Sequence, residues 1–284
     1  GPPASTHSWP KVFAIIQLLP TKNGPEGENE MSDKKRVLIT GASGLVARTL
    51  AEALGDAYDL SGVDIKPSTM IDTTVADMTD LEAIQPAFEG KDVVIDLAAV
   101  ADDYAPWEIV HKNNFPSTYN ALEAAHRAGV KRVVFASSNH VTGLYETDEP
   151  YASIVAGRYE ELDPADIPYV TTDMAIRPDG PYGIAKAFGE AAGRYYSDRF
   201  GLSVICLRIG TLNKEGRPVI VRQFSTLLTH GDLVHLAEKC IEAPDDLKFA
   251  VFYGVSDNKW RFYDIENSRE LIGYEPQGNA ETFR

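Results

Sequence analysis

Tyr182 and Lys186 stand four residues apart in the run from Arg177 to Glu190. On a helix that spacing puts both side chains on one face. A phenol beside an ammonium has chemistry neither has alone: the positive charge favours the phenolate and lowers the tyrosine pKa toward neutrality. Such a tyrosine can take a proton from a sugar or alcohol hydroxyl. Upstream residues could complete the site. In Gly41-x-x-Gly44-x-x-Ala47, Gly41 permits a tight turn and Gly44 lets backbone approach a pyrophosphate, with Ser43, Leu45 and Val46 alongside. Ala47 is small enough for close helix–strand packing. Asp64 follows at the end of the next strand, where a carboxylate accepts from ribose hydroxyls and repels a 2′-phosphate. That favours NAD over NADP, and Lys66 nearby works the other way. Asp77 and Met78 either reach the adenine or form a turn, and Leu97, Ala98 and Ala99 end a later strand on the cofactor side. Ser138 is the central residue of the strand-end run Ala136-Ser-Ser-Asn-His140, whose hydroxyls would face the same crevice. His140 reads either as a site residue or as a structural histidine.

Alternating strands and helices must position these residues. Apolar runs predict strands over 36–40, 58–65, 92–98, 132–136, 203–209 and 248–254, and helices over 45–54, 81–88, 107–128 and 182–200. This alternation implies an α/β fold, a doubly wound parallel sheet covered on both faces. Two stretches break the rhythm: 144–176, long, acidic and irregular, and the polar turn 213–219. Both follow strand ends on the carboxyl side, where ligands of such folds sit, and the longer one reads as a functional loop or lid.

Composition sets outer limits. A chain of 284 residues can form one large domain, or a domain with a small lobe. Its net charge of −15 argues against nucleic-acid and anionic-membrane partners, which need a basic surface. Two cysteines, Cys206 and Cys240, have neither metal-site nor disulfide spacing, so a reducing cytoplasm is the expected compartment and no metal is expected. Residues 1–30 differ from the rest and read as a leader or tag-derived segment before Met31. Their one apolar run, 12–19, is too short to span a bilayer.

Together, Gly-x-x-Gly-x-x-Ala, the strand-end Ser138 and Tyr182-x-x-x-Lys186 resemble the extended short-chain dehydrogenase/reductases over 35–284. Within them the chain is most similar to uronate dehydrogenases and related NAD-dependent sugar dehydrogenases. The further matches are Ser-Ser-Asn139-His140, Arg177-Pro-Asp-Gly-x-Tyr182-Gly, Arg208-Ile-Gly-Thr211, Arg222-Gln-Phe-Ser-Thr226 and Tyr253-Gly-Val-Ser-Asp257. The resemblance implies a single Rossmann-type NAD-binding domain over 31–284, with substrate elements mainly in 144–180 and 211–284. It implies Tyr182 as general base, Lys186 as its electrostatic partner holding the nicotinamide ribose, and Ser138 on the reacting oxygen. Asn114 would support Lys186 through a water. Asn139, His140 and Thr211 would contact the sugar, and Arg222 would grip a uronate carboxylate. The plainer reading of Arg222 is a surface ion pair. A homodimer through the helices at 107–128 and 182–200 is implied by the same analogy.

The departures concern the substrate. Ala101 stands where the uronate enzymes carry a substrate-binding serine, and Asp102 and Asp103 suit neutral hydroxyls better than an anion. The expected reaction is oxidation of a pyranose at C1 to the lactone, with a hexuronate first and a neutral aldose or glucose 6-phosphate as alternatives. A nucleotide-sugar epimerase or dehydratase would share the base, but little chain follows Lys186 to enclose a nucleoside diphosphate. A non-catalytic NAD-binding regulator is the third reading, and such proteins usually lack the Tyr/Lys pair.

Overall fold

Short β-branched runs alternate with amphipathic ones along this chain, and the first become strands and the second helices. A computed structural model describes residues 34–160 and 162–284. The expected leader at 1–30 lies outside the described residues. In chain order come β1 (Arg36–Thr40), α1 (Leu45–Leu54), β2 (Asp59–Asp64), β3 (Thr73–Val75), α2 (Leu81–Phe88), β4 (Val93–Asp96), α3 (Trp107–Arg127) and β5 (Arg132–Ser138). A 3-10 segment, Asn139–Thr147, leads to α4 (Tyr151–Val155) and α5 (Pro181–Phe200). Then follow β6 (Ser203–Ile209), α6 (Gln223–Thr226), α7 (His230–Ile241), β7 (Phe249–Gly254) and α8 (Glu266–Ile272).

The strands form one parallel sheet in the order β3-β2-β1-β4-β5-β6-β7. The winding reverses between β1 and β4, which opens a crevice at their carboxyl ends. This is the doubly wound, Rossmann-type fold that the alternation predicts. Both faces are covered. Val37 and Ile39 of β1 pack with Leu50 of α1 and Leu236 of α7, while Leu38 between them packs with Ala121 of α3 and Tyr196 of α5. That alternation is the period of two of a strand buried on both sides.

Strand ends differ slightly from the pattern-based limits, for local reasons. β4 stops at Asp96 because the Leu97 and Ala98 amides turn to donate to Thr40 Oγ1, both at 3.0 Å, and leave the ladder. β5 runs on to Ser138, which pairs with Ile209. Helix α5 begins at Pro181 and ends on Gly201 at φ +73°, a left-handed cap. Its Glu190 forms a buried ion pair with Arg208 of β6 at 2.8 Å and accepts from Ser137 Oγ of β5 at 2.6 Å. Helix and sheet are thereby locked together directly behind the crevice.

The stretch 144–176, expected as a functional loop or lid, has an apolar core of its own. Tyr151, Ile154, Ile167 and Val170 pack against Tyr253, Trp260, Phe262 and Tyr263 in a separate apolar cluster. Val170 bridges to Tyr263. Buried aromatic surface holds this stretch as a fixed layer beside the sheet. Among the described residues, no helix is long and apolar enough to cross a membrane, and no cluster of side chains could hold a metal ion.

Candidate active site

A cavity of about 770 Å³ follows the carboxyl ends of the central strands. At one end the turn after β1 closes on the loop after β4. Gly41 has φ +65°, and a Cβ there would meet the backbone of Leu97 and Ala98 at 3.1 Å, so glycine is required twice over. Gly44 caps α1 without a side-chain hydrogen bond, leaving the first helical amides, Leu45 and Val46 among them, beside the cavity. Asp64 Oδ2 accepts from both the amide and the hydroxyl of Ser43 at 2.9 Å, and its Oδ1 accepts from Lys66 N at 3.2 Å. This carboxylate therefore pins the glycine turn and also lines the cavity. Asp77 makes the turn foreseen for it, accepting from Thr79 N and Oγ1 at 2.9 Å, and with Met78 it lines the same wall. Leu97, Ala98 and Ala99 also line the cavity, the first two beside Gly41. A glycine turn, open helix-start amides and a strand-end carboxylate fit a dinucleotide's pyrophosphate and ribose.

Further along lie Ser138, Tyr182 and Lys186. Lys186 Nζ sits 4.9 Å from the centroid of the Phe135 ring and 5.6 Å from that of Tyr182. The tyrosine pKa goes opposite to the expectation. Burial pushes Tyr182 up to about 12; a hydrogen bond with Ser138 pulls it down, and the Asp103 carboxylate adds to the rise. The cost of desolvating a phenolate in this pocket is the largest cause of the rise. Burial draws Lys186 down to about 8, against the opposing charge of Asp96. Asp96, buried and held by Thr40 Oγ1 at 2.6 Å, is raised to about 6, chiefly by the same desolvation. Asn114 accepts from Val100 N at 2.8 Å and donates to Val100 O at 3.1 Å, which leaves a second N–H and a second lone pair on its amide. These two bonds clamp the loop after β4.

Beyond Tyr182 the cavity is lined by Asn139, His140, Thr211 and Arg222. His140 Nδ1 lies 2.7 Å from Asp179 Oδ2, and its ring packs edge-on against Tyr182 at 5.8 Å. Thr211 Oγ1 lies 2.9 Å from Thr226 Oγ1. Arg222 is already paired: Nε and Nη2 donate to the two oxygens of Glu146 at 2.5 and 2.6 Å. Burial alone would lower the guanidinium pKa; hydrogen bonds and charge from Glu146 more than reverse this and leave it raised. The expected elements in 144–180 reach this end only indirectly, through Glu146 on Arg222 and Asp179 on His140. Glu146, Asp179 and Tyr263 were not singled out from the sequence. Asp179 had a signal, its place in Arg177-Pro-Asp-Gly; Glu146 had none beyond the acidity of its segment.

The chain matches the family model described as "NAD dependent epimerase/dehydratase family" over residues 37–218. The chain belongs to this family. Proteins of different named activity are similar to this chain along most of its length. It is 38% identical to the NAD-dependent glucose-6-phosphate dehydrogenase of Haloferax volcanii, covering 87% of this chain and 95% of that protein. It is 36% identical to the L-arabinose 1-dehydrogenase (NAD(P)(+)) of the same organism, covering 87% and 98%. Among solved structures, a uronate dehydrogenase from Agrobacterium tumefaciens, a tyrosine-to-alanine variant complexed with NAD, superposes with TM-score 0.73 at 31% identity. That match covers 88% of this chain and 87% of the other. NAD is thus the family's cofactor, and the glycine turn and Asp64 suit it.

Proposed function

We propose that this NAD-dependent sugar dehydrogenase oxidises the anomeric carbon of an aldopyranose to the lactone. The observation that carries the reading is the convergence of Ser138, Tyr182 and Lys186 on one cavity with the glycine turn and Asp64. NAD, when bound, supplies the acceptor for the C1 hydride. Gly41, Ser43, Gly44, Leu45 and Val46 would hold its pyrophosphate end, Asp64 a ribose, and Leu97, Ala98 and Ala99 the facing side, with Asp77 and Met78 toward the adenine. Tyr182 is the base that takes the proton of the anomeric hydroxyl, the Ser138 hydrogen bond working against the burial that raises its pKa, and Ser138 orients that oxygen as it becomes the lactone carbonyl. Lys186 keeps a cation below the phenol and holds the nicotinamide ribose. Asn114 fixes the loop wall across from it.

Asn139, His140 and Thr211 are the proposed sugar contacts. A hexuronate substrate is supported by the place of Arg222 on the cavity wall. Against an anionic sugar stands the carboxylate of Asp103, which lines the cavity and lies 3.9 Å from His140 Nε2. A homodimer through α3 and α5, in the cytoplasm, belongs to the same reading.

The test is NADH formation with neutral aldoses, hexuronates, glucose 6-phosphate and UDP-sugars side by side. At least one free sugar should give NADH, and Tyr182→Phe should lose turnover by roughly 100-fold or more while still binding NAD. An undiminished Tyr182→Phe enzyme would remove the assignment of the base. NAD binding with no sugar oxidised would point to a regulator, and turnover of UDP-sugars alone to an epimerase or dehydratase.

A further inference from the structure

Arg222 presents a guanidinium to the sugar end of the cavity, and one of the two edges of that guanidinium that can grip a carboxylate is taken. Nε and Nη2 form the fork that grips two carboxylate oxygens in parallel. Here both bonds go to Glu146, at 2.5 and 2.6 Å. Glu146 is itself held in place, because Tyr263 OH donates to its Oε1 at 2.9 Å. Tyr263 is fully buried, stacks on Tyr253 with ring centroids 4.6 Å apart, and accepts from Asn139 Nδ2 at 3.4 Å. The pair is sheltered, with side-chain exposures of 25% for Arg222 and 13% for Glu146. Glu146 does not line the cavity, whereas Arg222 does. The carboxylate thus approaches the guanidinium from behind, where it acts as a built-in substitute for a substrate anion.

We infer that Glu146 is a specificity-determining residue that turns this sugar end toward neutral aldopyranoses and away from hexuronates and sugar phosphates. The inference rests on the dehydrogenase reading given above and names the substrate class for it. An acidic sugar could take the Nε/Nη2 edge only by expelling Glu146, which would leave a buried carboxylate without its counter-charge. If the acid took the Nη1/Nη2 edge instead, two carboxylates would share one cation already faced by Glu146 and Asp179. Arg222 Nη1 makes no hydrogen bond among the described residues and is free to donate to a sugar hydroxyl, which asks for no charge transfer from Glu146. The selection works by repulsion and prior occupancy as much as by attraction.

The experiment measures kcat and KM with NAD for glucose, galactose, arabinose, glucuronate, galacturonate and glucose 6-phosphate, in the wild-type enzyme and in Glu146→Gln. The wild type should prefer its best neutral sugar over every acidic one by roughly tenfold or more in kcat/KM, the scale of one charge-assisted contact. Glu146→Gln should raise the acidic-to-neutral ratio by about tenfold, mainly through a lower KM for the acidic sugar. The gain should vanish in the double variant Glu146→Gln/Arg222→Gln. A general structural defect would not move the ratio in this direction. Wild-type enzyme that oxidises acidic and neutral sugars equally well overturns the inference and leaves the dehydrogenase reading standing. So does folded Glu146→Gln with an unchanged ratio. Absence of NADH from every sugar overturns both. Should Glu146→Gln not fold, the wild-type preference alone decides.

Discussion

Tyr182 in this structure is a tyrosine that burial makes harder to ionise, with a pKa near 12. Its neighbours divide by sign: the Ser138 hydrogen bond favours the phenolate, and Asp103 opposes it. Removing the negative charge at Asp103 must therefore lower the tyrosine pKa. Asp103→Asn should shift the acid-side limb of the pH profile of kcat/KM to lower pH. The limb reports the group that must lose a proton in the free enzyme. A limb that stays in place or moves to higher pH would mean that Asp103 does not reach Tyr182 electrostatically. The residue types of this site were legible in the sequence because proton transfer restricts them: Tyr182, Lys186 and Ser138 all reach one cavity. The sign of the tyrosine shift was not legible. A four-residue spacing reports the neighbouring charge and says nothing of how much water the fold removes around it.

Helix α5 carries two members of the site, and how closely it can approach the strand ends decides where they sit. A Cβ on Gly183 would lie 2.3 Å from the carbonyl oxygen of His140, a backbone atom that cannot swing aside. Gly183→Ala should push the start of α5, and Tyr182 with it, away from Ser138. We expect a stability loss of about 1–3 kcal/mol from overpacking. We also expect a fall in kcat on the order of 100-fold, as an ångström of misplacement gives. Denaturant titration and steady-state rates read the two effects separately. A variant with native kcat would show that the helix start is not under this constraint. The elements themselves were readable, since the helix limits at 45–54 and 81–88 and the strand limits at 203–209 follow from runs of apolar period alone. What the pattern missed has a common cause. The layer formed by 144–176 draws its core from Tyr151, Ile154, Ile167 and Val170, spread among acidic residues with no period, against aromatics about 100 positions away. The pairing of Glu146 with Arg222 likewise spans 76 positions, a distance over which local pattern carries no information.

At the scale of the whole molecule, the faces of α3 and α5 turned from the sheet remain to be accounted for. Tyr119 on α3 and Tyr195 on α5 are exposed, as are Trp107, Ile184 and Phe200. Aromatic side chains of this size on neighbouring helices are what an isologous interface uses, since one self-complementary patch serves both subunits. With a net charge of −15 per chain, two subunits repel at long range, so association must come from apolar burial. Two consequences follow for the proposed homodimer. Raising ionic strength toward physiological values should strengthen it, because screening weakens the repulsion while leaving apolar burial in place. Tyr195→Glu should break it, because the two-fold axis places two unpaired carboxylates at the interface and removes two aromatic anchors. Sedimentation equilibrium should find the wild type at twice the chain mass, more so with added salt, and Tyr195→Glu at the chain mass. Tyr195 is 55% exposed, so the variant's secondary structure should be native. Wild-type enzyme that sediments at the chain mass across salt concentrations would leave α3 and α5 as ordinary solvent-facing helices.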